Sequence, residues 1–287
     1  MRSSVTACLP KAEITVLMPV SFGEEFLPDA LESLESQSFD RWHLLALVNG
    51  SADGSLKILS RFRSRWEAKV TIFEAPFSIR PGIARNIMAG KSDTEYLTFW
   101  DQDDVHPENS LEILYSNICQ GAVAIHGNME LIDPDSALFR HEASLRENLS
   151  RARVKWDSMQ ATTRALRNPS SQNRIRLGAS LVRSEAFSAV GGFWNFNGGE
   201  DYSFWVRLSL LGKISHVTER VLLRRVHGSN LSSSHDRANG NLFVMNEFRR
   251  LQSLEGRGAA RRVRLLAQKA FHWLQQLPLA RLWAPKP

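Results

Sequence analysis

Ile14-Thr15-Val16-Leu17-Met18-Pro19-Val20 is a short apolar run rich in β-branched residues and bounded by Pro19, the composition of a buried strand that ends at a loop. Downstream of it, Phe26, Leu27, Ala30, Leu31 and Leu34 return at helical spacing from Glu25 onward, and Pro28 falls early enough for a first turn. His43 to Val48 is a second buried run, and it stops at the turn cluster Asn49-Gly50-Ser51-Ala52-Asp53-Gly54. Leu56 to Trp66 carries Leu56, Leu59 and Phe62 on one helical face, and Val70 to Phe73 reads as a third strand. This β-α-β-α-β alternation predicts an α/β fold in which a parallel sheet is covered by helices and binding loops gather at the carboxyl ends of the strands.

Further along, a helix is expected over Gly82 to Ala89 and a strand over Tyr96 to Trp100, and directly after that strand stands Asp101-Gln102-Asp103-Asp104. Ala122 to His126 and Ala179 to Val182 read as strands, Gly191-Gly192 and Gly198-Gly199 as loop, and Asp201 to Leu211 as a helix. Asp135 to Pro169 is polar and rich in Arg and Ser, the composition of a helical or mobile excursion. Two units are expected: an α/β domain over 12–232 and a basic, amphipathic helical tail over 233–287.

The composition is that of a globular chain large enough for a substantial core: 287 residues, 43% hydrophobic and 23% charged. A net charge of +6 suits anionic partners without choosing among them. Cys8 and Cys119 are too few for a disulfide framework or a thiolate zinc site and read as reduced thiols of a cytoplasmic protein. Met1 to Lys11 lacks the apolar core of a secretory signal, and no window approaches the uninterrupted apolar length of a spanning helix. The expectation is a soluble protein, peripheral at most at the inner face of a membrane.

Asp101, Asp103 and Asp104 crowd three carboxylates into four residues after an apolar strand. Their repulsion calls for a cation, and hard oxygen ligands suit Mn2+ or Mg2+, either of which bridges to a diphosphate. The plainer account is an acidic turn capping a helix near Pro107. Gly199-Glu200-Asp201 opens a helical run through Phe204, Trp205 and Leu208. Its carboxylates suit a helix cap or a general base, since an attacking hydroxyl must lose a proton to a group such as a partly desolvated Asp.

Taken in order, these segments resemble the family 2 glycosyltransferases of the GT-A fold. Ile14 to Val20, Phe26-Leu27, Ala30-Leu31-Glu32-Ser33-Leu34 and Gln37-Ser38-Phe39 look like that family's opening. Asn49-Gly50-Ser51-Ala52-Asp53-Gly54-Ser55 resembles its second-strand turn, Ala84-Arg85-Asn86 its Arg-Asn helix, and Asp101-Gln102-Asp103-Asp104 with Pro107 its metal motif. Gly191-Gly192-Phe193, Gly199-Glu200-Asp201-Tyr202, Trp205-Val206-Arg207-Leu208 and Gly212 match its acceptor side, and the likeness extends to Ser232.

The resemblance implies a Rossmann-like nucleotide-binding sheet flanked by helices, with a C-terminal helical extension. It also implies an inverting transfer of a sugar from a nucleotide-diphosphate donor to a saccharide or lipid-linked acceptor, in envelope or capsule polysaccharide synthesis. Asp103 would be the direct metal ligand, with Asp101 near the nucleotide ribose and the metal, and Asp104 in support. Asp201 would be the catalytic base, with Glu200 orienting it or touching the acceptor. Pro19, Val20, Ser21 and Asn49 would line the nucleotide site, and Arg85 would lie near the base or diphosphate. In many relatives a His after the base helix approaches the metal, which here points to His227. A UDP-sugar is the favoured donor, but the family usually has Asp where this chain has Val48, and the loss of that residue leaves the uridine preference open.

Two rival readings stand beside this one. A nucleotidyltransferase on a related sheet would share the acidic motif but needs a Gly-rich phosphate loop and leaves Gly199-Glu200-Asp201 unexplained. A non-catalytic nucleotide-sugar scaffold would account for Val48. The tail, with Arg249, Arg250, Arg257, Arg261, Arg262 and Arg264 ahead of Leu265, Leu266, Phe271, Trp273 and Leu274, fits a helix resting on anionic lipid as well as one packed on the catalytic domain. No nucleic-acid module is recognisable, and no nucleic-acid partner is expected.

Overall fold

The structure is a computed structural model that describes residues 12–135, 175–194 and 200–228. Four strands come first: β1 (Ile14–Val20), β2 (Trp42–Asn49), β3 (Val70–Ala75) and β4 (Tyr96–Phe99). They lie parallel in the order β3-β2-β1-β4, with Val20 opposite Val48 and Asn49 opposite Ala75, so β1, β2 and β3 end nearly level while β4 ends earlier, with Phe99 opposite Leu17. The helices α1 (Leu27–Glu35), α2 (Ser55–Arg65) and α3 (Pro81–Ala89) make the crossovers. Each expected element of this half is present, with boundaries shifted by one or two residues.

Helices cover both faces because the central strands alternate two apolar sets. Val16 and Met18 of β1 pack with Leu27, Leu31 and Leu34 of α1 and Leu59 and Phe62 of α2, together with α4 (Ser110–Asn117). Leu17 points the other way, into a cluster with Ala84 and Met88 of α3, Phe187 of α5 (Ser184–Ala189), and Phe204, Trp205 and Leu208 of α6 (Glu200–Leu211). Each fully buried Leu or Phe contributes about 1.5–3 kcal/mol, so both faces hold the sheet between its helices.

The second half departs from the all-parallel expectation. After β5 (Ala122–Ile132), strand β6 (Ser180–Arg183) runs antiparallel between β4 and β5, and β7 (Lys213–Arg225) pairs parallel with β5 at the edge. The seven-stranded sheet is therefore mixed, in the order β3-β2-β1-β4-β6-β5-β7. β7 escaped the sequence reading because its centre, Val217-Thr218-Glu219-Arg220, is half-buried or exposed at the sheet edge, which removes both a continuous apolar run and a clean alternation. β5 outruns the expected Ala122 to His126 for the same reason, since Asn128 is exposed and Met129 and Glu130 are only half-buried. The excursion expected from Asp135, the Gly198-Gly199 loop, Ser229-Asn230 and the tail over 233–287 lie outside the described residues, apart from Asp135 itself. Among the described residues, no helix is long and apolar enough to cross a membrane, and Cys119 is an exposed free thiol.

Candidate active site

β4 ends at Phe99, and Trp100 sinks into the core as the chain turns into the acidic loop. That loop is laid against the last turn of β7, residue by residue. Val105 and Leu223 exchange backbone hydrogen bonds of 3.0 and 2.8 Å, and His106 Nδ1 meets the Val221 carbonyl at 3.0 Å. One residue earlier, the Arg225 amide donates to Asp104 Oδ1 at 2.9 Å, and His227 Nε2 sits 2.9 Å from Asp103 Oδ2. His106 also stacks on Trp100 with ring centroids 3.6 Å apart.

This anchoring sorts the three aspartates. Carboxylate oxygens of Asp101, Asp103 and Asp104 lie within 4.8 Å of one another. Asp104 is buried, and burial first, then the charges of Asp101 and Asp103, push its carboxyl well above the usual range. Asp101 and Asp103 keep 43% and 21% of their side chains open to solvent, so a ligand can reach them, while Asp104 is turned inward. Burial also raises Asp101, opposed by the Arg85 guanidinium that donates to its Oδ1. Three crowded hard-oxygen donors fit a divalent cation of the Mg2+ or Mn2+ class, whose charge would offset their repulsion, with Asp103 and Asp101 as the residues that would hold it.

Arg85 links this loop to the start of α6. Its buried guanidinium pairs with Asp101 and lies 5.9 Å from the Phe193 ring, and its charge also acts on Glu200. Glu200 is raised above the ordinary carboxylate range, chiefly by burial and also by the neighbouring Asp201 charge. A Cβ on Gly82 would stand 3.1 Å from Phe193 Cβ and 3.4 Å from Glu200 Cγ, so the glycine lets the first turn of α3 pass beside both. Asp201 follows in the first turn of α6, its Oδ1 accepting the Tyr202 amide at 2.7 Å.

Three side chains that the sequence reading left without a task build this wall. Asn86 clasps Phe193, donating to its carbonyl at 2.6 Å and accepting its amide at 2.8 Å. Buried Arg207 donates to the carbonyls of Val190 and Gly192 and stacks 4.3 Å over Trp194. Gly191 and Gly192 both have positive φ, at 75° and 59°, which explains that pair. Gln102 completes the set: its amide accepts from the Ser21 N–H at 2.6 Å and donates to the Ser21 carbonyl at 2.8 Å, tying the β1 loop to the acidic loop.

The expected nucleotide residues divide. Ser21 lies at the carboxyl end of β1, its hydroxyl 3.4 Å from the Asn49 carbonyl, and beside it Phe22 stands 70% exposed at a φ of 51°. Pro19 is half-buried, whereas Val20 and Val48 point into the core, so only their backbones reach the rim. The Asn49 side chain is turned to the Ile79 backbone, accepting its amide at 2.7 Å and donating to its carbonyl, and it joins two loops. Asp53 holds the amides of Glu24 at 3.0 Å and Ser55 at 3.3 Å, the turn role its position suggested.

Comparison with known proteins follows the same residues. The sequence pattern described as glycosyl transferase family 2 matches residues 15–190. An uncharacterized glycosyltransferase of Haemophilus influenzae is 31% identical over 121 residues, 42% of this chain and 48% of that protein. The poly(ribitol-phosphate) β-glucosyltransferase of Bacillus spizizenii is 30% identical over 94 residues, 32% of this chain and 15% of that enzyme. The chain thus spans half the length, or less, of these two relatives. Among solved structures, TarS of S. aureus in complex with UDP-GlcNAc superposes with a TM-score of 0.64 at 16% identity, covering 93% of this chain and 75% of that one. A mannosyltransferase of Pyrobaculum calidifontis in complex with GDP-Man and Mn2+ gives 0.60 at 14% identity, covering 96% and 79%.

Proposed function

The chain belongs to glycosyl transferase family 2, and from that membership we propose that it transfers a sugar from a nucleoside-diphosphate donor to an acceptor hydroxyl with inversion, assisted by a divalent metal. The observation that carries the proposal is the acidic loop clamped to β7, with His227 at Asp103 on one side and the buried Arg85 guanidinium paired with Asp101 on the other. Two fold neighbours, solved with UDP-GlcNAc and with GDP-Man and Mn2+, support a nucleotide-sugar donor.

In this reading Asp201 accepts the proton of the acceptor hydroxyl, whose oxygen attacks the anomeric carbon in line with the departing diphosphate, and no carboxylate nucleophile is required. Asp103 and Asp101 hold the cation, which when bound neutralises charge on the diphosphate. Arg85 lends its fixed positive charge to the same side, and Glu200 orients the acceptor. The backbone of Pro19, Val20 and Ser21 lines the base site. Val48, apolar and buried, leaves no acidic group at its position to read a uridine, so GDP-sugars belong in the screen beside UDP-sugars.

The test is a thermal-shift screen of nucleotide sugars with Mn2+ present, followed by product analysis on the stabilising donor. Metal-dependent release of the nucleoside diphosphate is the expected result. Release of pyrophosphate instead would assign the site to nucleotidyl transfer. We propose in addition that the tail over 233–287 rests on an anionic membrane surface on the cytoplasmic side. Flotation with phosphatidylglycerol liposomes, lost on removal of the tail, is the expected behaviour.

A further inference from the structure

Arg225 closes β7 with its side chain fully buried, and nothing in the reaction outlined above gives it a role. A buried guanidinium is costly unless each of its N–H groups is bonded, and a well-packed apolar side chain of similar volume often serves a core as well. Its partners come from three other segments. Nε donates to the Asp103 carbonyl at 2.9 Å, and Nη2 donates to Asp29 Oδ2 on α1 at 2.7 Å. Nη1 donates to the Pro134 carbonyl beyond β5 at 2.5 Å, with the Asp133 carbonyl at 3.5 Å. The backbone amide of the same residue holds Asp104. Phe26, at the head of α1, lies beneath both the guanidinium, at 4.8 Å, and the His227 ring, at 4.7 Å.

We infer that Arg225, held by Asp29, is a positioning residue of the metal site: it fixes the Asp103 backbone against α1 and the end of β5, so that the Asp103 carboxylate and His227 meet at one place. Only a planar fork spans a carboxylate on one helix and carbonyls on two other segments at once, which is why lysine is not its equivalent here. The inference rests on the metal reading proposed above and adds the group that holds its ligand in register.

Metal affinity tests it without relying on turnover. Mn2+ uptake by the full chain is titrated with UDP present, following the electron paramagnetic resonance of free Mn2+ and subtracting the uptake by UDP alone. UDP affinity in EDTA and the melting temperature are measured beside it. Partners behind a metal ligand set its affinity by about 10- to 100-fold. Arg225→Lys is expected to weaken Mn2+ about tenfold, and Asp29→Asn, whose side chain is half exposed, about threefold, with UDP affinity in EDTA unchanged and the melting temperature of Asp29→Asn lowered because the buried guanidinium loses its carboxylate. The Asp29→Asn variant decides the matter whether or not Arg225→Lys folds: weakened Mn2+ supports the role, and wild-type affinity overturns it. Wild-type protein that takes up no Mn2+ removes the metal reading itself, and this inference with it.

Discussion

At the scale of single residues, the arrangement separates two kinds of carboxylate. Asp103 is half-buried against an imidazole and open to the cleft, and Asp201 sits in the first turn of a helix beside a carboxyl that burial has raised. Asp201→Asn keeps the shape and removes the proposed proton acceptor, so kcat should fall by about 10²–10⁴-fold while donor affinity stays within a factor of two or so. Steady-state kinetics and calorimetric donor binding check this. If Glu200→Gln removes turnover and Asp201→Asn does not, the two roles are exchanged. Asp103→Asn should abolish stimulation by Mn2+ and leave the melting temperature nearly unchanged, because the bonds that hold this loop to β7 come from the backbone of Asp103 and Val105 and from the Asp104 carboxylate. Both carboxylates could be named in the sequence, since each stands where a strand or a loop meets a binding edge. Gln102 and Arg225 could not, because nothing local marks a glutamine that will clasp Ser21 or an arginine that will reach Asp29.

Among the elements, the contact between α3 and the loop before α6 carries the greatest weight. Asn86 supplies both hydrogen bonds to the buried Phe193 backbone, and a Cβ at Gly192 would come within 2.3 Å of its Oδ1. Asn86→Ala strands a buried donor and a buried acceptor, at about 1–3 kcal/mol each. Urea denaturation should show a loss of about 2–4 kcal/mol, with activity falling because Phe193 and Glu200 shift relative to Arg85. A variant as stable as wild type would mean that this loop does not depend on the clasp. The Arg-Asn pair in the sequence marks this helix, and the family resemblance puts its first residue near the base or diphosphate. The second residue's work became visible only once Phe193 lay beside it.

For the whole molecule, two buried histidines predict sensitivity to acid. Burial pushes His106 and His126 down to about 3, whereas an unfolded chain titrates near about 6.5. Between those values the unfolded state binds protons that the folded state refuses, so stability is complete above about pH 6.5 and is lost as pH falls. Each histidine contributes about 1.4 kcal/mol to the difference between pH 7.5 and 5.5. The raised carboxyls of Asp101, Asp104 and Glu200 act in the opposite direction, so the clean measurement is a difference. His106→Phe keeps the stack on Trp100 and should lower the pH-dependent loss by about 1.4 kcal/mol in urea denaturation. Equal losses in variant and wild type would remove the buried histidine as the cause.

From Ile14 to Trp100 the sequence by itself determined the architecture, because a strand buried on both faces must be apolar throughout and a covering helix must repeat its apolar face every three or four residues. Those local rules also set Asp101, Asp103 and Asp201 at element ends, where a ligand can reach them. Tertiary structure alone decided the antiparallel insertion of β6 and the edge strand β7, and with β7 the wall that holds the acidic loop. An edge strand needs apolar residues on only part of its length, and a clamp such as Arg225 joins residues as far apart in sequence as Asp29 and Pro134. No pattern within a window records contacts of that span.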